Sequence, residues 1–517
     1  RKIYDALMKA YQGDWKKVMR HVQVERWAMS RRFRSGVVTI EPQTNIDAQS
    51  RQIGHTSMNG LPAILQNETV FEAHGDLIDA NRGIVEYSDF LKRPIEANKY
   101  LLTTAETGVI NLASFTAWID LVLIGTSNEN YLSAFRRDPL FSSFKARLDL
   151  VRVPYLLSVS NEEELYRREF NKLPSHLGVA PHTSRIAALW AVMTRLMEPA
   201  GTDLDDETRR IVETLTPLEK AKLYDGGEAP ARLAPTDQNR LRAALPDIAS
   251  EYDTLEMEFE GQWDAAYEGR RGCSPREMLT MISEIALDPP GDCVTPMLVL
   301  KRLPDLIKDP GLYQFLRIKR TRNGYHDCHG FIEAVRDDYL DLVRHDVERA
   351  AELVDEGEFR RLFDDYFKHV RAQQTNERVL NEKTGAHGAP DEKFMKRIEE
   401  LLEAGSDAKA FRSELLTKAA SFRLSNPDQK MVHVEVFADL FHRMRENAFR
   451  QRLEGAKRIV EDSLVQLDVL PGSPDAERRA DAELFLKRMT TELGYSEYSA
   501  REALEFFYRN INRFISP

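Results

Sequence analysis

The chain has 517 residues, 42% hydrophobic and 30% charged, which fits a globular protein of roughly two to four domains and excludes a disordered chain. No apolar run approaches the ~18–20 residues that a membrane-spanning helix needs, and a net charge of −11 argues against the broad basic face of a nucleic-acid binder. The 3 cysteines, Cys273, Cys293 and Cys328, are far apart and odd in number, which argues against a disulfide framework and fits a reducing cytoplasm.

In chain order, residues 4 to 34 read as helical up to Gly36. Within them, Arg26, Arg31, Arg32 and Arg34 surround Trp27 and Phe33, a local basic cluster that suits a solvated helix end, a subunit contact or a nucleic-acid patch. GVVTIEP, residues 36 to 42, is a short β-branched strand closed by Pro42. Residues 45 to 68 are polar with turn signals and read as irregular with short helices. The sequence HGDLIDANRGIVEYSDFLKRP follows, in which Ile84 and Val85 run into Glu86, Tyr87, Ser88 and Asp89. A helix is expected from about Ser88 to Thr104, then a β-rich pair around Gly108. The strand Val122 to Gly125 delivers Thr126, Ser127 and Asn128, and LDLVRVPYLLS, from Leu148 to Ser158, reads as a fourth strand. Strands alternating with helices imply a mainly parallel sheet with helical cover.

After Ser160 the β signal fades. Ser160 and the acids behind it open a helix, and residues 181 to 197 carry Ile186, Leu189, Trp190, Met193 and Leu196 at helical spacing, a core stripe. Ser274-Pro275-Arg276-Glu277 starts another helix with a cap and a first-position proline. From about 300 the chain is almost wholly helical, with loops at 381 to 393 and 470 to 475.

Open α/β sheets bind ligands beyond the carboxyl ends of their strands. Acids there can hold Mg²⁺ or orient a water, and a nearby asparagine can sense a phosphate. Glu86 and Asp89 supply two carboxylates at i, i+3. If the strand runs through Ser88, Asp89 takes the catalytic-carboxylate register; if it ends at Glu86, that residue is the metal-side acid. Arg147, just before the fourth expected strand, could reach a neighbouring subunit's γ-phosphate, and Arg276 could touch the same phosphate from a helical lid. Each residue also has a plain reading, as a solvated strand end, a surface arginine or a first-turn residue. His326-Asp327-Cys328-His329 groups soft ligand types, but no second cluster stands at zinc-finger spacing, so packing is its expected role. There is no GxxxxGK[ST] loop, GxGxxG loop, HRDxxxxN, DFG, GxSxG or HExxH in the sequence.

At these residues the chain resembles the PrkA (YeaG-type) family of bacterial serine protein kinases, which have an AAA+-type ATPase core and a helical C-terminal region. The likeness runs through GVVTIEPQTNIDAQSRQ, ANRGIVEYSDFLKRPIEANKYLLTTAETG, IGTSNENYLSAF and FKARLDLVRVPYLLS. It continues in LEKAKLYDGGE, GCSPREML, GYHDCHGFIEAV, NEKTGAHGAPDEKFMKRIEELL and LGYSEYSAREAL. The resemblance implies an α/β fold followed by an all-α part: a AAA+ core without its Walker-A loop over 1–158, a helical lid over 159–305 and a helical C-terminal domain over 306–517. It implies that Glu86 and Asp89 are the Walker-B-like, Mg²⁺-side and catalytic acids, Asn128 the sensor-1 residue, Arg147 the arginine finger and Arg276 a sensor-2-like arginine. It further implies ATP and Mg²⁺ as cofactors, protein substrates, a ring-forming homo-oligomer, a cytoplasmic location and no membrane or nucleic-acid partner. The family's Walker-A loop lies upstream of the matched region. With no Met or signal peptide at Arg1, the sequence reads as a fragment that has lost its N-terminus. Serine phosphotransfer and client-protein remodelling are both expected activities, and a helical scaffold with a regulatory ATPase is a third.

Overall fold

The computed structural model describes residues 2–24, 26–42, 47–53, 69, 71–174, 177–251, 267–351, 356–375, 378–380, 387–404, 408–425, 433–472 and 475–515. The chain forms two compact units, Arg1–Arg152 and Val153–Pro517. The first is α/β with a parallel sheet and the second is largely helical. Among the described residues no helix is long and apolar enough to cross a membrane.

The first unit contains strands β1 (Val37–Ile40), β2 (Gln49–Gln52), β3 (Phe71–His74), β4 (Gly83–Tyr87), β5 (Val109–Asn111), β6 (Thr116–Trp118) and β7 (Leu121–Gly125). β1, β4 and β7 make a parallel sheet in that order, with Thr39 opposite Glu86 and Glu86 opposite Ile124. β2–β3 and β5–β6 are separate antiparallel pairs. Alternation along the strands separates two faces. Val38, Ile40, Val85 and Tyr87 are buried with Leu77, Phe90, Leu101 and Phe144, whereas Val122 and Ile124 on the other face are about half exposed. Gly83 is required where β4 begins, because a Cβ there would lie 1.8 Å from the carbonyl oxygen of Gly36.

Several expectations need correction. Residues 4 to 34 are not one helix: helices cover Lys2–Ala10 and Trp15–Met19. They are separated where Gln12 and Gly13 take φ values of 51° and 86°, and Asp14 caps the second. The basic cluster that follows is therefore not a helix end. Arg34 pairs with Asp76, and Trp27 and Phe33 are exposed.

The expected helix from Ser88 to Thr104 is a 3₁₀ turn, Phe90–Lys92, followed by helices Ile95–Asn98 and Tyr100–Thr107. Pro94 forces the break, because a residue before proline is driven to extended backbone and Arg93 has ψ 148°. Leu148 to Ser158 forms no strand. Its backbone finds no ladder among the described residues, and Val151 and Val153 stay exposed. Part of the 45–68 stretch read as irregular is β2; residues 54–68 lie outside the described residues, as does 381–386 of the later loop.

In the second unit, the helix Thr183–Met193 is buried along nearly its whole length and packs into a core with Met278, Val299, Val335, Tyr339 and Phe507. The periodic stripe read from the sequence is thus core. A second apolar cluster gathers Phe363, Tyr366, Phe367, Met395, Phe437 and Met444. Helix starts follow their sequence signals: Ser274 and Glu277 form a reciprocal capping box with Pro275 at the first position, and Thr216 and Glu219 do the same. The helix expected to open at Ser160 runs Val159–Phe170 with Ser158 as its cap.

Candidate functional site at the ends of the parallel strands

β4 is GIVEY, and its period-2 pattern turns Val85 and Tyr87 into the core while Glu86 stays half-buried on the other face. Thr39 of β1 donates its hydroxyl to Glu86 Oε2 at 3.0 Å, which fixes that carboxylate across the strand pair. The strand ends at Tyr87, yet the backbone stays stitched on both sides. Ser88 N donates to Ile40 O at 2.9 Å, and Thr126 N donates to Tyr87 O at 2.9 Å.

Thr126 then closes the junction. Its carbonyl accepts from Phe90 N at 2.7 Å and its hydroxyl from Asp89 N at 3.2 Å. Asp89 itself is left-handed, with φ 47° and ψ 45°, a conformation that costs a non-glycine residue energy and that Asp and Asn tolerate best. The left-handed turn presents the Asp89 carboxylate beyond the strand end, where Lys92 Nζ donates to it at 2.6 Å. That bond and the carboxylate's charge raise the Lys92 pKa, so the ammonium stays charged.

Asn128 stands at the end of the neighbouring strand. Its Oδ1 accepts from Tyr131 N at 3.2 Å and so caps the helix Glu129–Phe135. The cap fixes the amide plane and leaves an exposed Nδ2 with no partner among the described residues, a donor available to a phosphate oxygen. Glu86, Asp89 and Asn128 thus lie at the carboxyl ends of two adjacent parallel strands, joined through Thr126.

The two candidate arginines belong one to each unit. Arg147 follows the helix Phe141–Lys145; its Nε and Nη2 donate to Glu106 Oε2 at 3.0 and 2.7 Å, and Nη1 donates to Ser143 O at 2.9 Å. Its guanidinium is engaged within its own unit, not on the carboxylates. Arg276 is exposed in the first turn of the helix Pro275–Leu287, in the second unit.

Among the described residues no three His, Cys, Asp or Glu side chains gather as a metal cage. An oxygen-only pair such as Glu86 and Asp89 suits Mg²⁺, which takes most of its ligands from water and phosphate. The HDCH run is structural. Asp327 caps the helix Cys328–Ala350 by accepting from Gly330 N at 3.1 Å, and Cys328 O accepts from Trp190 Nε1 at 3.3 Å. Burial pushes the Cys328 thiol up to about 12.

Sequence reasoning placed Thr126 at the strand end without giving it a role, and missed Thr39 and Lys92. Lys92 had a signal, since it stands three residues after Asp89, but Thr39 acts across strands and had none.

A parallel sheet with acids at its strand ends, followed by helices, is consistent in layout with an AAA-type domain. A family model described as the PrkA AAA domain matches residues 4–203, and one described as the PrkA serine protein kinase C-terminal domain matches residues 218–506. The chain belongs to the PrkA family. It is 26% identical to the ATP-dependent protease PrkA of Bacillus subtilis (strain 168) over 502 residues, 95% of this chain and 71% of that protein. It is 27% identical to the serine/threonine kinase YeaG of Escherichia coli (strain K12) over 164 residues, 31% of this chain and 26% of that protein. No solved structure matches the chain.

Proposed function

We propose that the loops after β4 and β7 form the acidic half of an ATP site, and that the protein uses it as an ATP-dependent serine/threonine protein kinase. The observation that carries the ATP site is the junction itself: Thr126 bonds the Asp89 turn to the strand end that bears Asn128. The C-terminal family model, with its serine-kinase description, supports the phosphotransfer. Glu86 is assigned to the metal side, and Asp89, beyond the strand end, to orienting the attacking group. Asn128 contacts the γ-phosphate. Mg²⁺ bound with ATP neutralises charge on the transferring phosphoryl group.

Arg147 would serve a neighbouring copy's phosphate in a ring, and Arg276 would act as a sensor-2-like arginine. The sequence holds no GxxxxGK[ST], and this reading takes the phosphate-binding loop as a part to be supplied. β7 supports this reading. LVLIG is apolar on both faces, as a central parallel strand is, yet among the described residues it pairs only with β4 and leaves Val122 and Ile124 half exposed. A further strand carrying the loop would pair there.

ATP-driven protein remodelling coupled to proteolysis is a second reading, favoured by the match over 95% of the chain to a protein named an ATP-dependent protease. To separate the two, a strand–GxxxxGK[ST]–helix unit is joined ahead of residue 1 and the product is incubated with γ-labelled ATP and mixed protein substrates. Label on serine or threonine supports the kinase. Release of free phosphate with no labelled protein sinks it and supports the remodeller.

A further inference from the structure

Behind the acidic strand end lies a buried charged network that ATP chemistry by itself does not call for. Asp47 and Arg93 form an ion pair at 2.8 Å with side chains only 1% and 3% exposed. Tyr100 OH donates to the same carboxylate oxygen, Asp47 Oδ2, Tyr87 OH donates in turn to the Tyr100 oxygen at 2.7 Å, and the Tyr87 oxygen lies 3.4 Å from Oδ2. Burial, with Asp47 close by, raises both phenol pKa values, so they stay protonated donors.

The arrangement is specific. Tyr87 is the last residue of β4 and Arg93 follows the 3₁₀ turn, so one carboxylate grips both flanks of residues 88–92. Those residues include Ser88, the left-handed Asp89 and its partner Lys92. Asp47 is itself anchored: its carbonyl accepts from Leu77 N at 3.0 Å, and a Cβ on Gly75 would fall 2.5 Å from it. A buried ion pair is expensive to desolvate and is weak support for stability as such, whereas its fixed geometry can specify one conformation. Here that conformation is a left-handed aspartate, which persists only where its surroundings impose it.

We propose that Asp47 and Arg93 are positioning residues, a buried clasp that holds the 88–92 turn so that Asp89 meets the reacting phosphate. This rests on the ATP-site reading above.

The test uses the double variant Asp47→Asn/Arg93→Met in the full chain. It removes both buried charges together while the amide keeps a partner for the two phenols. Hydrogen exchange is read at the Asp89 and Phe90 amides, whose acceptors are on Thr126, with the Val85 amide as the internal control. The clasp predicts exchange about tenfold faster or more at Asp89 and Phe90 with Val85 unchanged. In the form carrying a phosphate-binding unit, it predicts kcat for ATP turnover lower by about tenfold or more with KM within about twofold. Tyr100→Phe, which deletes one hydroxyl, should move both readings the same way by less; it replaces the double variant if that one does not fold.

Unchanged exchange in a folded variant overturns the proposal, as does faster exchange with unchanged kcat. If the parent form turns over no ATP, the ATP-site reading fails, and the exchange result alone decides whether the clasp holds the turn.

Discussion

The helical unit contains an internal comparison between a buried and an exposed ion pair on one helix, Val159–Phe170. Glu162 and Arg195 are both fully buried. Glu162 Oε1 accepts from Arg195 Nη2 at 2.6 Å and Oε2 from Nη1 at 2.9 Å, while Tyr166 OH donates to Oε1 at 2.5 Å. The rest of the guanidinium bonds Cys273 O at 2.9 Å and Leu156 O at 2.8 Å, so Arg195 cannot leave for solvent when the carboxylate is removed. Glu162→Gln then strands a buried cation, at a cost of about 3–5 kcal/mol, or roughly two to three and a half orders of magnitude in the unfolding constant. Glu164 pairs with Arg168 on the same helix with both side chains exposed, and Glu164→Gln should cost under about 0.5 kcal/mol. Urea unfolding followed by far-UV circular dichroism measures both. Equal losses in the two variants would refute the view that burial sets the strength of this pair.

Arg147→Ala should leave folding nearly unchanged, because its ion pair with Glu106 is exposed and worth about 1 kcal/mol at most. In the form carrying a phosphate-binding unit it should cut ATP turnover by about 10³-fold or more with nucleotide binding near normal. Mixing it with Asp89→Ala should partly restore turnover; no restoration would argue against a finger acting between copies. Glu106→Gln, which frees the guanidinium, should raise turnover by up to about fivefold.

At low pH, Asp225 should contribute to acid unfolding. Burial alone would raise its pKa, but bonds from Ser160 N, Ser160 Oγ and Ser158 Oγ outweigh burial and lower it. A depressed carboxylate stabilises the fold above its unfolded-state pKa of about 3.9, and that contribution is lost as pH falls through the lower folded value. Melting temperature recorded from pH 6 down to about 2 should fall less steeply below about pH 4 in Asp225→Asn than in the parent. An identical slope would contradict the assignment.

What was legible followed from local pattern. The β-branched run 37–40, the apolar strand ends at 85 and 124, and the Ser274 capping box declare themselves within a few residues, and the structure has them where expected. The end of β7 could be placed for the same reason, and with it Asn128; the end of β4 was left open between Glu86 and Ser88, and the strand stops at Tyr87.

The failures share a cause. Leu148 to Ser158 has the composition of a strand, but a strand exists only through a ladder, and among the described residues its backbone bonds Gly269 and the Arg195 side chain but no strand. The helix expected after Ser88 was carried across Pro94, whose steric effect on Arg93 breaks it. Asp47 carries no local signal, since its role comes from Tyr87, Arg93 and Tyr100, which are 40, 46 and 53 residues away along the chain. The left-handed backbone at Asp89 is likewise met by distant groups, with Thr126 bonding the Asp89 and Phe90 amides, and is not written in the YSDF sequence around it.

Asp89→Asn tests the central claim most directly. Asparagine tolerates the left-handed backbone and keeps the side chain's shape, so only the charge is lost. With a phosphate-binding unit joined ahead of residue 1, single-turnover hydrolysis of γ-labelled ATP should fall by about 10²- to 10⁴-fold while nucleotide affinity stays within about twofold. Turnover equal to the parent's, with the protein folded and nucleotide bound, would contradict the claim that this strand end is the catalytic half of the site.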